Sequence, residues 1–264
     1  MLSIILVVYK TDKILLKKIL QKIDKKINII IIDNSYNYDF STFKISKKTK
    51  IIRSKNVGNG AGINIGLKKC KTKFALYLDI DTSFNKDFIK NFFKFSQKID
   101  DFAILVPNHT THNYKKKLIE KYEGEGAVLL FNIEKFKKVG FFDEKYFLYF
   151  EEIDLFFKCN KNNLKIFIVN DFHIKHNRAS TIPNNIKNIT HIRSWHYMWS
   201  MFYYYKKNYS FLEAINRTYM LIIKDFVMLI FYLFLFKKDL IYKRFYRLYG
   251  IFSSILNFKS YLRP

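Results

Sequence analysis

Only two cysteines, Cys70 and Cys159, occur among the 264 residues. They are too few for a disulfide framework and lack the spacing of a thiolate metal site, so a reducing compartment is expected and secreted disulfide-rich folds are excluded. Prolines number three, Pro107, Pro183 and Pro264, in keeping with a packed rather than a disordered chain. Acids are scarce: 22 Asp and Glu stand against 47 Lys and Arg, a formal charge of +25. That excess attracts polyanions, anionic lipid headgroups or phosphorylated substrates without choosing among them. A compositional bias of the source genome towards Asn, Lys, Ile, Phe and Tyr accounts for part of it equally well. No uncharged apolar run reaches the ~20 residues that span a bilayer; the nearest, Thr218–Phe236, carries Lys224 and Asp225 near its middle. The first residues have no basic n-region and Lys10 interrupts the apolar Ile4–Val8, so the start reads as a buried strand, not a signal peptide. No Gly-Lys-Ser/Thr loop occurs, which argues against a P-loop hydrolase. Without an RNA-recognition, KH or helix-turn-helix signature, no nucleic-acid partner is expected.

What is present is alternation. Strand-length apolar runs at Ser3–Tyr9, Asn28–Asp33, Lys50–Arg53, Phe74–Asp79 and Phe102–Val106 are interleaved with helical spacing at Lys13–Lys25, Ala61–Lys69 and Asp87–Lys98. Such βαβ units predict an α/β fold with a mostly parallel sheet flanked by helices. A further run at Glu125–Phe131, a helix at Glu151–Lys161 and a strand near Lys165–Val169 follow. After about residue 190 the composition turns aromatic and basic, with both tryptophans, Trp195 and Trp199, and no strand pattern. Two regions are expected: 1–190, and a helical 191–264.

Ligands of open parallel sheets bind beyond the carboxyl ends of the strands, and three carboxylates are expected there: Asp33, Asp79 and Asp81. A strand's period of two puts Asp79 and Asp81 on one face with Ile80 turned away. Two such oxygen donors suit a hard divalent cation that holds a diphosphate, although an N-cap or a solvated turn is the ordinary use of an isolated Asp-x-Asp. Half the glycines, Gly58, Gly60, Gly62 and Gly66, fall within nine residues at the start of a helix. That density allows close backbone approach to an anionic ligand. Glu151, Glu152 and Asp154 open the next helix after an aromatic stretch; they are either helix N-terminal acids or the general base for a hydroxyl nucleophile. Glu125, between Gly124 and Gly126, is placed on the same acceptor-side loop. His173 and His176 lie past the last strand, where His176 is a candidate metal ligand beside Asp81, and Arg178 a candidate diphosphate contact.

Taken in order, the strand entering Tyr9-Lys10, Ile31-Ile32-Asp33-Asn34-Ser35, the Asn56–Gly66 loop, the Asp79–Asp81 pair, Gly124–Leu130 and Phe147–Leu155 resemble a family 2 glycosyltransferase of the GT-A nucleotide-diphospho-sugar transferase fold, in the rhamnosyltransferase-like branch. The similarity spans roughly residues 2–180. It implies that Asp33 contacts the donor's base, Asp79 its ribose or diphosphate, and Asp81 a divalent metal, Mn or Mg. Val8, Tyr9, Asn34, Asn56, Gly58, Asn59, Gly60, Asn64 and Gly126 would complete the substrate-binding set. Glu152 occupies the position where the family has the aspartate of a Glu-Asp pair, which leaves Glu151, Glu152 and Asp154 as alternatives for the base. The implied reaction inverts the anomeric carbon of a UDP- or dTDP-sugar, with a GDP-sugar also open. The acceptor would be a glycan or lipid-linked hydroxyl in bacterial surface polysaccharide synthesis.

For the C-terminal helices, Phe226–Phe236 is expected to face protein or lipid, with Lys237, Lys238, Lys243, Arg244 and Arg247 meeting anionic headgroups. The alternative is an ordinary helical subdomain. A cytoplasmic enzyme, peripheral on the inner membrane's cytoplasmic face, follows from the first reading. Competing functions are a non-catalytic partner protein of the same fold and, from charge and aromatics alone, a nucleic-acid binder.

Overall fold

The structure, a computed structural model, describes residues 1–109, 115–121, 125–177 and 189–264. The chain forms two compact units, Met1–Phe142 with Glu152–Asn184, and Asp143–Glu151 with Asn185–Pro264.

The first unit runs β1 (Leu2–Val8), α1 (Lys13–Lys22), β2 (Asn28–Asp33), β3 (Thr49–Arg53), α2 (Asn59–Lys69), β4 (Phe74–Leu78), β5 (Thr82–Ser83), α3 (Phe88–Ser96), β6 (Ile104–Asn108), β7 (Leu118–Glu120), β8 (Val128–Asn132), α4 (Glu151–Lys161), β9 (Ile166–His173) and β10 (Lys175–His176). Eight strands make one sheet in the order β3-β2-β1-β4-β8-β6-β9-β7. β1 pairs in parallel with β2 and β4, and β2 with β3. β8 lies antiparallel between β4 and β6, and β7 closes the edge antiparallel to β9. The mostly parallel α/β architecture expected from the alternation is present.

The strands are apolar almost throughout because both faces are covered. Ile4, Leu6, Leu76, Leu78 and Leu130 point into one core beneath α1 and α3, while Ile5, Ile32, Tyr77, Leu129 and Phe131 point into the other beneath α2 and α4. Helix α1 starts where the Asp12 carboxylate accepts from the amides of Ile14 and Leu15, at 2.6 and 3.3 Å, so a side chain satisfies two otherwise orphaned donors. A Cβ on Gly66 would sit 2.6 Å from Ile5 Cγ2, and one on Gly62 3.0 Å from Val7 Cγ1. These two glycines therefore let α2 pack close on β1, which corrects their reading as part of a ligand cradle. Cys70 and Cys159 are free thiols, and burial pushes Cys159 up to about 12.

The second unit is built from α5 (Ile189–Asn208), α6 (Phe211–Phe234) and α7 (Lys238–Ile255), the helical region expected. Its core is Met198, Phe202, Ala214 and Ile251. α7 crosses α5 so closely that a Cβ on Gly250 would lie 2.2 Å from the Trp195 carbonyl oxygen. Trp199 Nε1 donates to the Phe258 carbonyl at 2.9 Å and the Tyr203 hydroxyl to Asp143 at 3.0 Å. Buried Asp225 of α6 accepts from Arg244 at 2.6 Å and Arg247 at 2.7 Å. The expectation that both arginines meet headgroups is thus corrected: a carboxylate inside the apolar run needs compensating charge, and these two side chains supply it.

Candidate active site

Strand β4 ends at Leu78, one residue before the expected Asp79, so the acidic pair sits on a tight turn and not on a pleat. The Thr82 amide and hydroxyl both donate to the Asp79 carbonyl, at 3.2 and 2.7 Å. The Asp79 amide donates to the Ala127 carbonyl at 2.7 Å, and the Ile80 amide to the Asp79 carboxylate at 2.9 Å. The turn leads into β5, which pairs antiparallel with β10 so that His176 lies opposite Thr82; the Asn177 amide donates to the Asp81 carbonyl at 3.0 Å. This two-strand ribbon delivers a histidine from far along the chain to the acids.

His176 Nε2 lies 3.1 Å from Asp81 Oδ1 and 3.8 Å from Asp79 Oδ2. One ligand atom from each of the three residues falls within 4.8 Å of the others. Two hard oxygens and an imidazole nitrogen at that spacing fit a divalent cation of the Mn or Mg class. The electrostatics fit as well. Burial and then the neighbouring Asp81 carboxylate push Asp79 up to about 7 against the opposing pull of His176, a strain between like charges that a bound cation relieves. His176 is held above its ordinary value first by its hydrogen bond to Asp81.

Two further residues join the cluster. His176 Nδ1 is 3.4 Å from Glu125 Oε2, and His109 Nδ1 is 3.6 Å from the same oxygen. A carboxylate on Nδ1 turns Nε2 towards the metal position. Glu125 was read only as an acceptor-loop residue, and His109 not at all. The available signal was position: His109 directly follows β6 and so marks the carboxyl end of a strand. Residues 125–127 precede β8 instead of belonging to it, which frees Glu125 and Gly126 to shape the site.

Gly126 abuts Glu152, whose Cβ would be 3.1 Å from a Cβ placed on the glycine. Glu152 is the second residue of α4, which starts at Glu151 directly after Tyr149 and Phe150, both in the left-handed region with φ of 67° and 68°, a conformation costly for L-residues. Burial, together with the Glu125 carboxylate, raises Glu152 above the usual carboxylate range. Of the three acids proposed for the base, Glu151 and Asp154 are buried while Glu152 keeps partial exposure.

The donor-side residues divide. Asp33 is fully buried, and its carboxylate accepts from the amides of Ser35 and Tyr38, each at 2.9 Å. It therefore shapes the loop after β2. Asn64 donates to the Phe142 carbonyl at 2.9 Å and accepts from the Phe142 amide at 3.1 Å, so it anchors that chain segment. Asn34 donates to the Gly58 carbonyl at 3.0 Å, while its buried Oδ1 has no hydrogen-bond partner among the described residues. Val8 accepts from the Asn34 amide at 2.8 Å, and Tyr9 follows at the strand's end, partly exposed. Asn56 caps the turn by accepting from the Gly58 amide at 3.3 Å. Gly58 takes φ of 94°, Asn59 accepts from the Tyr77 hydroxyl at 3.1 Å, and Gly60 is buried in the first turn of α2. Arg178 lies outside the described residues.

Known proteins share this architecture. A crystal structure of GalNAc-T7 with UDP, GalNAc and Mn2+ superposes with a TM-score of 0.57 at 15% identity, covering 71% of this chain and 45% of that one. Residues 1–349 of Staphylococcus aureus TarS superpose with 0.53 at 15% identity, covering 81% and 71%. At this identity the likeness concerns the fold, which is GT-A. Uncharacterized glycosyltransferases of Rickettsia conorii and Rickettsia felis are 32% and 34% identical over 109 residues, 40% of this chain. The chain spans 18% of the length of these relatives. Residues 3–208, taking in the sheet, the acidic turn and the helix that carries Glu152, match the family described as Glycosyl transferase family 2, and the chain belongs to that family.

Proposed function

We propose that the protein is an inverting, metal-dependent transferase that moves a sugar from a UDP- or dTDP-linked donor to a hydroxyl of a glycan or lipid-linked acceptor. The observation that carries this reading is the convergence of Asp79, Asp81 and His176 on one point, with Glu152 seated against Gly126 beside them. Support for the donor comes from GalNAc-T7, solved with UDP, GalNAc and Mn2+, and from TarS, solved with UDP. A rhamnosyl donor and a place in bacterial surface polysaccharide synthesis rest on the motif resemblance. A cytoplasmic location at the membrane's inner face rests on the aromatic and basic C-terminal helices.

Asp79, Asp81 and His176 would hold the divalent cation, which when bound neutralises charge on the departing diphosphate. Glu152 takes the proton of the acceptor hydroxyl as that oxygen attacks the anomeric carbon. The new C–O bond forms as the bond to the diphosphate breaks on the opposite face, so one displacement inverts the centre. Its raised proton affinity makes Glu152 a stronger base than a solvated carboxylate. Glu125 holds His176 in the orientation the cation requires, and Asn34, whose buried Oδ1 has no hydrogen-bond partner among the described residues, is assigned to the donor nucleotide. Arg178 is assigned to the diphosphate.

The test is thermal unfolding of the wild type and of Glu152→Gln with a panel of nucleoside diphosphates, with and without Mn2+, followed by sugar transfer. Expected is a Mn2+-dependent rise with UDP or dTDP in both proteins and transfer by the wild type alone. No rise with any nucleotide, or equal turnover by the variant, overturns the reading.

A further inference from the structure

Helix α6 is apolar on the side that packs and on the side that does not. Its inward side packs Ala214, Ile215, Leu221 and Ile222 into the helical core, with Thr218 and Asp225 buried among them. Outward, Tyr219, Ile223, Phe226, Ile230 and Phe234 recur every three or four residues and are each between 42% and 78% exposed. At 1.5 Å per residue the stripe from Tyr219 to Phe234 runs over about 22 Å of the helix. The exposed Leu235 and Phe236 extend it into the turn towards α7, where Phe236 takes φ of 52°. Exposed apolar surface on this scale marks an interface.

The charges show what kind of interface. The one acid in the helix's middle, Asp225, is turned inward and held by Arg244 and Arg247, and Glu213 at its start is tied to Arg217 at 2.6 Å. The outward stripe thus carries no carboxylate. Around it Lys224, Lys237, Lys238 and Lys243 are exposed, and residues 211–264 hold nine Lys and Arg against three acids. A second copy of a chain with charge +25 would bring like charges together, whereas anionic headgroups neutralise them. Among the described residues no helix is long and apolar enough to cross a membrane. Arg217 and Lys224 beside the stripe would in any case draw α6 to the surface.

We propose that the α6–α7 hairpin docks in the plane of an anionic lipid surface, the α6 stripe entering the acyl boundary and the flanking lysines meeting lipid phosphates. The inference deepens the membrane-side location proposed above and is independent of the transfer chemistry.

The test is flotation of the full chain with vesicles of phosphatidylcholine alone or with 30% phosphatidylglycerol. It is run for the wild type, for Phe226→Asp with Ile230→Asp, and for Lys224→Glu with Lys238→Glu. Expected is wild-type flotation with the anionic vesicles that weakens at high salt. The double aspartate variant should lose at least tenfold in binding, and the charge-reversal variant should lose the preference for anionic lipid. All three proteins should keep the wild-type circular dichroism and nucleotide-induced thermal shift, since every substituted side chain is exposed. Failure of the wild type to float, or undiminished flotation of the aspartate variant, overturns the proposal. So does a stable dimer in sedimentation that the aspartate substitutions dissolve, because the stripe is then covered by a second copy. The nucleotide-induced shift reads the active site separately, so loss of one result leaves the other standing.

Discussion

In the sheet unit Ile4, Ile5, Leu6 and Val8 are all fully buried, because helices cover both faces of β1. In the helical unit, Phe226 and Phe234 stand 56% and 78% exposed although their stretch is just as apolar. The same residue types therefore mean core in one unit and surface in the other, and what separates them is whether a second layer exists to receive the side chains. Polar groups follow the same division. The sheet unit gathers its acids and histidines at one end of the strands to leave room for a ligand, while the helical unit closes its one central acid with two arginines.

That contrast can be broken or sharpened by substitution. The largest effect is expected for Glu152→Gln, which should lower kcat by about 10²–10⁴ while leaving the Mn2+-dependent nucleotide shift intact; it would confine the chemistry to the sheet unit. Next come the tight glycines. Gly250→Ala forces a Cβ onto a backbone oxygen and should destabilise by about 3 kcal/mol or more. Gly66→Ala meets side-chain atoms of Ile5 instead of backbone and should cost about 1–3 kcal/mol; urea unfolding measures both. A smaller effect concerns His196, which burial pushes down to about 4. Neutral in the fold, it donates Nε2–H to the Leu262 carbonyl at 2.7 Å. The unfolded chain binds a proton below about 6.5 that the folded chain refuses. Stability is therefore full above that pH and is lost as pH falls towards 4. Between pH 7 and 5 the loss should be about 2 kcal/mol, absent in His196→Gln. Smallest is Glu125→Gln, expected to weaken Mn2+ binding by about 10–100-fold, read as the metal concentration that half-saturates the thermal shift.

The strands were legible because a strand buried on both faces leaves an unmistakable apolar run: Asn28–Asp33 has the bounds expected of it, and β1 differs by one residue at each end. The site was legible in part. Asp81 and His176 were expected at a cation and Asp79 at the donor's ribose or diphosphate; ligand atoms of all three lie within 4.8 Å of one another, brought together by a tight turn and a two-strand ribbon where alternation on a strand was expected. That Asp33 and Asn64 hold backbone groups was not legible, because a strand-end acid or a helix amide looks the same in sequence whether its partner is a ligand or the backbone. Gly62 and Gly66 were misread for a related reason: a missing side chain makes room without saying for what. Glu125 and His109 are separated in sequence and belong together only through the pairing of β8 with β6 and the return of β10 to β5.

By itself the sequence determined the βαβ alternation, the parallel character of the sheet, the acidic pair at the end of a strand and the change to aromatic helices near residue 190, because periodicity and residue type act locally. Only the tertiary structure decided which polar side chains face a ligand and which serve the backbone, that Arg244 and Arg247 answer Asp225, and that one side of α6 has nothing covering it within its own unit. Those are questions of distance between residues far apart in the chain, and a side chain's chemistry does not encode where its partner lies.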